Sequence, residues 1–303
     1  MKPNLIVFKS FLGVTSVRVL ILICTLLAFA SKTFAQHKDT QRITDSIVNE
    51  GKALYRSEWA SWYGTDIFFA QCKEKRALVG GYISYETPTG LNNVFFSKGN
   101  DPVALGTTSF GNDFNEKNYK LDTITRKLNA SEKELISIRQ AVVKRMGTDT
   151  IFKYFNNTEL NPIPFIKNGI KKVYILTGPK ANGVVIFGND YLVSFNKQNN
   201  ITDIKRLHKN LIAIPYHQAT ADSSKTERAA AHSHLPETGD FITATDICTL
   251  MLYEKFTTWK QYYVLSKNYV SIWDCKKDDL FEMTMEAWKK MEEDHANRQP
   301  NSN

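Results

Sequence analysis

Apolar positions recur along the chain with a period that changes from segment to segment. Between residues 36 and 63, Ile43, Ile47, Leu54 and Trp59 return among polar residues at spacings that suit one face of a helix, and Gly64 reads as its stop. Three runs that follow read as strands: Ile67-Phe68-Phe69, Ala77 to Tyr85, and Asn93 to Ser97, with Thr87-Pro88-Thr89-Gly90 as turn material. Residues 99–130 are polar and locally rich in Gly, Asn and Asp, and read as a long loop or linker. Ser131-Glu-Lys-Glu134 has capping-box spacing, and Leu135, Ile138, Val142 and Met146 follow helically as far as Gly147.

A second block begins near Thr150. Lys172 to Thr177 reads as a buried strand, and Tyr191 to Phe195 with Ile201 to Leu207 as a hairpin turned around Gln198-Asn199-Asn200. Leu211 to Pro215 is a further short strand, and the small, polar residues 217–230 read as a mobile loop. Thr243 to Phe256 is helical in pattern, Gln261 to Ser266 and Tyr269 to Trp273 form another hairpin, and Thr284 to Glu293 makes a closing helix. Helices interspersed with hairpins predict an α+β fold with mixed, mainly antiparallel sheets and flanking helices, not a doubly wound parallel sheet. The expected division is a signal peptide at 1–35, an N-terminal α+β region at 36–147, a second α+β domain at 148–293 and a disordered tail at 294–303.

With 303 residues, 42% apolar and 23% charged, the chain belongs to the globular class. Its formal charge of +8 invites a nucleic-acid reading, but residues 1–35 hold Lys2, Lys9, Arg18 and Lys32 and no acid, so half of the excess lies there. That segment has the parts of a secretory signal: a basic stretch to Arg18, the apolar run Val19 to Ala30, and a polar end at Thr33-Phe34-Ala35. The apolar core is short of the roughly 20 residues that a spanning helix needs. The expectation is an exported protein, periplasmic or extracellular, with no stable membrane insertion after cleavage behind Ala35. The other basic residues are scattered among acids without a nucleic-acid motif, which argues against such a partner. Cys72, Cys248 and Cys275 form no CxxC pair, and export would permit a bridge between Cys248 and Cys275.

Candidate chemistry concentrates in residues 231–246. His37 lies near the mature end, His208 ends a strand, His217 opens the loop and His295 is in the tail, which leaves His232 and His234. Two residues apart in an extended segment, they project to one face and can offer ring nitrogens to one metal ion. The chain then turns through Pro236 and Gly239, and Asp246 falls in the first turn of the following helix, from which its carboxylate can fold back. Two imidazoles, a carboxylate and one open position make a catalytic zinc set. Thr243 with Asp246 is equally an ordinary helix cap.

The pattern His-x-His, eight residues, then Thr-x-x-Asp resembles the metal motif of the JAB/MPN (JAMM-motif) metalloprotease family, and the order of helix and strands after it is similar. The resemblance implies a JAMM-like C-terminal half and zinc on His232, His234 and Asp246. It further implies that Thr243 supports a tetrahedral intermediate, and that peptide or isopeptide bonds of a peptide or protein substrate are hydrolysed. Leu235 stands where the family usually has Pro. Between Leu160 and Thr226, where the family's general-base Glu belongs, there is no Glu; Asp190 lies at a plausible distance but is one methylene shorter, Glu159 is farther away, Glu227 lies in the adjoining loop and Glu237 inside the motif, and none is assigned. Two alternatives accompany the hydrolase: a catalytically degenerate JAMM-like fold, and a metal-free cell-envelope binding module.

Overall fold

The computed structural model describes residues 13–216 and 229–298, with 13–37 as backbone only. Residues 1–12 of the expected leader, 217–228 of the expected loop with His217 and Glu227, and 299–303 of the expected tail lie outside it. The chain divides into two compact units, Met1–Ser46 and Ile47–Asn303. Helix α1 (Gly13–Gln71) supplies the described part of the first and opens the second. No helix among the described residues is long and apolar enough to cross a membrane.

The second unit is an α+β assembly whose sheets are mainly antiparallel, as the alternation of patterns predicts. Strands β1 (Val79–Thr87), β2 (Gly90–Ser97), β3 (Val103–Phe110) and β4 (Tyr119–Asp122) form one sheet in that order, with β5 (Arg126–Lys127) also on β3. Residues 99–130, expected to be a loop or linker, therefore hold three strands: β3, largely buried inside the sheet, and the short, polar β4 and β5 that pair with it. Helix α2 (Ala130–Met146) follows, capped by Asn129 in a reciprocal box with Glu132, two residues before the expected Ser131.

The second sheet comprises β6 (Thr158–Lys167), β7 (Ile170–Pro179), β9 (Tyr191–Phe195) and β10 (Ile201–Arg206), in the order β10-β9-β7-β6. The two-residue turn of its long β6–β7 hairpin is Asn168-Gly169, both with positive φ, as such a turn requires. Strand β8 (Val184–Gly188) pairs with β11 (Leu211–Pro215). The last sheet sets β12 (Ala229–Ser233) parallel to β13 (Gln261–Leu265), and β14 (Tyr269–Asp274) and β15 (Asp279–Thr284) antiparallel beyond it. Helix α3 (Ala244–Tyr253) packs beside it, and helix α4 (Met285–Arg298) carries residues 294–298 of the expected tail.

Helix α3 decides where the chemistry falls. Every residue from Ala244 to Met251 is buried, as expected of a helix apolar on more than one face. Ile247, Leu250 and Met251 join Phe187, Tyr262 and Trp273 in one core; Ala244 and Cys248 join Leu54, Ile163 and Tyr174 in another. Each large apolar side chain removed from water contributes about 1.5–3 kcal/mol, so α3 is held from two sides. Its neighbour α1 passes so close that a Cβ on Gly51 would sit 2.7 Å from Ile247 Cβ. Gly64 does not stop α1: Asn93 presses where its Cβ would be, and the helix runs on through Ile67-Phe68-Phe69, which the apolar run alone made look like strand. Phe68 stacks on Phe95 of β2 at 4.1 Å between centroids. Cys72, Cys248 and Cys275 are free thiols.

Candidate metal centre

Two parts of the fold converge beside α3. In β12, His232 pairs with Val264 of β13, and the His234 amide just beyond the strand donates to the Leu265 carbonyl at 2.8 Å. The extended register turns both rings to one side. From the other direction comes the open end of the β9–β10 hairpin. There the Leu207 amide donates to the Asp190 carbonyl at 3.0 Å, and the His208 amide to Asp190 Oδ1 at 2.9 Å. The chain ends of this hairpin thus hold Asp190 and His208 side by side. Asp246 enters from the first turn of α3, where the unpaired helix amides and the helix dipole favour a carboxylate.

His208, His232, His234 and Asp246 form one group whose ligand atoms all lie within 4.8 Å of one another, a group that can hold a metal ion. His234 Nε2 lies 3.0 Å from His208 Nε2, 3.1 Å from His232 Nε2 and 3.3 Å from Asp246 Oδ2. Asp246 Oδ2 is 3.6 Å from His208 Nε2, and its Oδ1 3.7 Å from His232 Nε2. Four ligands placed tetrahedrally about 2.0–2.1 Å from a zinc ion stand about 3.3 Å apart, and these five separations lie close to that spacing. The side chains are deeply buried: His208 is 4% exposed, His232 6%, His234 7% and Asp246 1%.

The outer contacts favour the same reading. His208 Nδ1 is 2.8 Å from Asp190 Oδ1; Nδ1–H donates a hydrogen bond to the carboxylate, which leaves Nε2 to face the cluster. His232 Nδ1 is 2.9 Å from the buried Tyr262 hydroxyl, which fixes that ring likewise. Asp246 Oδ2 accepts from the Thr243 amide at 2.9 Å and hydroxyl at 2.8 Å, while Oδ1 is buried with no hydrogen-bond partner. A buried carboxylate oxygen without a donor is costly, and three imidazole lone pairs converging beside it call for a cation. The His/His/Asp set with a fourth ligand fits a metal on the chemistry of its donors.

Without a cation, protons are redistributed among these groups. Burial opposes a charge on His208, but the carboxylates of Asp246 and Asp190 outweigh it and carry its pKa up to about 9. Burial dominates at His232, which falls to about 4. Burial would raise Asp246 too, yet His208, His232 and His234 together hold it well below the usual carboxylate range.

The fold brings together His232, His234 and Asp246, as their spacing predicts, and adds His208, which the sequence shows only as the end of a strand. Thr243 is the N-cap of α3: its hydroxyl engages the Asp246 amide and carboxylate and lies 2.9 Å from the Thr245 hydroxyl, which in turn donates to Asp190. This places it in a hydrogen-bonded chain that links the two carboxylates around the cluster. Of the acids considered as a base, Asp190 is engaged by His208 and Thr245, and the exposed Glu237 pairs with Lys209. The chain matches no protein-family model, no curated protein and no solved structure, so the likeness to the JAMM motif stands on the motif itself.

Proposed function

We propose that this is a zinc-binding protein whose centre has four protein ligands, His208, His232, His234 and Asp246. The observation that carries this reading is His208: a third imidazole, oriented by Asp190 and buried with its Nε2 3.0 Å from His234 Nε2 and 3.6 Å from Asp246 Oδ2. Such a set satisfies zinc without water, as structural sites do. Its ligands come from the β9–β10 hairpin, the end of β12 and the start of α3, so the ion would staple segments that are distant in sequence. Its affinity would then be part of the folding free energy.

The hydrolysis implied by the JAMM resemblance uses the same centre differently. Zinc supplies a Lewis acid and an acidified water in such enzymes, which requires a coordination position that His208 would have to leave. Convergence of His232, His234 and Asp246 supports that second reading, with Thr243 and a peptide or isopeptide substrate in the roles the motif implies. Export rests on the pattern of residues 1–35. One pair of variants separates the readings. In the four-ligand centre, zinc content is about one per chain, and His208→Ala weakens zinc binding on the order of 100-fold, as His232→Ala does. In the hydrolase, His208→Ala keeps its zinc and cleaves isopeptide-linked substrates at least as fast as the unaltered chain.

A further inference from the structure

A second site lies in the same unit, apart from the metal ligands. A cavity of about 400 Å³ opens between α1, β6, β7 and α3, within the size range of small-molecule pockets. Trp62, Tyr82 and Tyr253 line it with aromatic surface, and Glu58 and Asn161 meet inside it. Asp66 and Glu159 stand exposed at its margin, and no Lys, Arg or His lines it.

Two of its polar groups are held in a way that leaves work undone. The Asn161 amide donates to Glu58 at 2.5 Å, and Tyr82 donates to the Asn161 oxygen at 3.4 Å. That orients the Glu58 carboxylate but gives it no ion-pair partner among the described residues. Thr249, 7% exposed and one turn along α3 from Asp246, lines the cavity with a hydroxyl that no described residue engages. The nearby cations do not line the cavity but lie against its aromatic rings: Arg139 is 5.4 Å from the Tyr82 ring centroid and Lys255 5.9 Å from that of Trp62. Burial raises Glu58 to about 7 against the pull of Arg139 and Asn161, as expected of an acid without a close counter-ion.

We infer that this cavity binds a small organic cation, an amine or quaternary ammonium with an apolar body, its charge beside Glu58, its apolar part against Trp62, Tyr82 and Tyr253, and a polar group on Thr249. Aromatic faces attract cations through their quadrupole, and a desolvated carboxylate discriminates strongly between a cation and a neutral isostere. Anions are excluded by the three acids.

Isothermal titration calorimetry of the full chain tests this with phenethylamine, tetramethylammonium and putrescine, using phenethyl alcohol and phenylacetate as the neutral and anionic counterparts of the first. At least one of the three cations is expected to saturate at one per chain. Phenethyl alcohol should bind at least tenfold more weakly than phenethylamine, and phenylacetate not at all. Glu58→Gln should lose at least tenfold for the cation and leave the alcohol unchanged. Trp62→Ala, at the half-open rim, keeps the test decisive if the Glu58 variant melts early, and should weaken amine and alcohol together. Saturation by none of the cations, equal binding of amine and alcohol, or preference for phenylacetate would overturn the inference. Zinc content is unaffected by any of these outcomes, so the metal reading stands or falls separately.

Discussion

At the scale of single residues, the arrangement around His208 is the most informative in the molecule. Asp190 touches no other ligand of the cluster, yet it determines which nitrogen of His208 carries the proton. It is a positioning residue, and Asp190→Asn should weaken zinc binding by 10- to 100-fold while leaving the number of ligands unchanged. A competition titration against a chromophoric chelator reads the affinity, and unaltered affinity would remove Asp190 from the centre. The proton inventory gives a second expectation. In the metal-free protein His208 titrates near 9, above its ordinary 6.5, so its proton stabilises the fold fully below pH 6.5 and that contribution is lost as pH rises through 9. A zinc ion held by His208 would take the place of that proton. Binding at pH 7.5 should therefore release about one proton, measured calorimetrically in buffers of different ionisation enthalpy. The zinc-loaded chain should also keep its stability to pH 9, where the metal-free chain loses it.

The elements show why some of this was legible in the sequence and some was not. Tyr191 to Phe195 and Ile201 to Leu207 read as a hairpin, and its register puts Asp190 opposite Leu207, next to His208, at its open end. What local pattern does not contain is where that end points, because the neighbour it meets, β12, lies beyond a polar segment and pairs with β13, which follows α3. A histidine that merely ends a strand therefore looked incidental. His232, His234 and Asp246 were legible because a strand, a turn and a helix cap place them within one short segment. The cap and the ligand reading of Asp246 are not rivals: Oδ2 caps the helix with Thr243 while Oδ1 remains free. The misread segments have physical reasons too. Gly64 continues α1 because Asn93 needs its space, although a mid-helix glycine is about 1 kcal/mol less favourable than alanine. By the same logic Gly51→Ala should drive a methyl into Ile247, on the helix that carries Asp246, and destabilise the unit by about 1–3 kcal/mol. A denaturant midpoint unchanged by that substitution would show that α1 and α3 do not pack as closely as described.

On the scale of the whole molecule, the ligands join a hairpin of the second sheet to the last sheet and to the helix that packs between two apolar cores. A metal held there stabilises the folded state by an amount that grows with its free concentration, roughly 2.7 kcal/mol at 100 times the dissociation constant. Chelation should accordingly lower the melting temperature of the unaltered chain, and should leave that of Asp246→Ala where it already lies. The α+β architecture followed from the alternation of helical and strand periods. Its sheet order did not, since pairing of β8 with β11 and of β12 with β13 joins segments distant in sequence. The count of imidazoles on the metal tests the central reading most directly. Zinc K-edge absorption of the loaded full chain should show about one zinc per chain, bound by three imidazole nitrogens and one carboxylate oxygen. Two imidazoles with a water, or a purified chain that takes up no zinc, would contradict it.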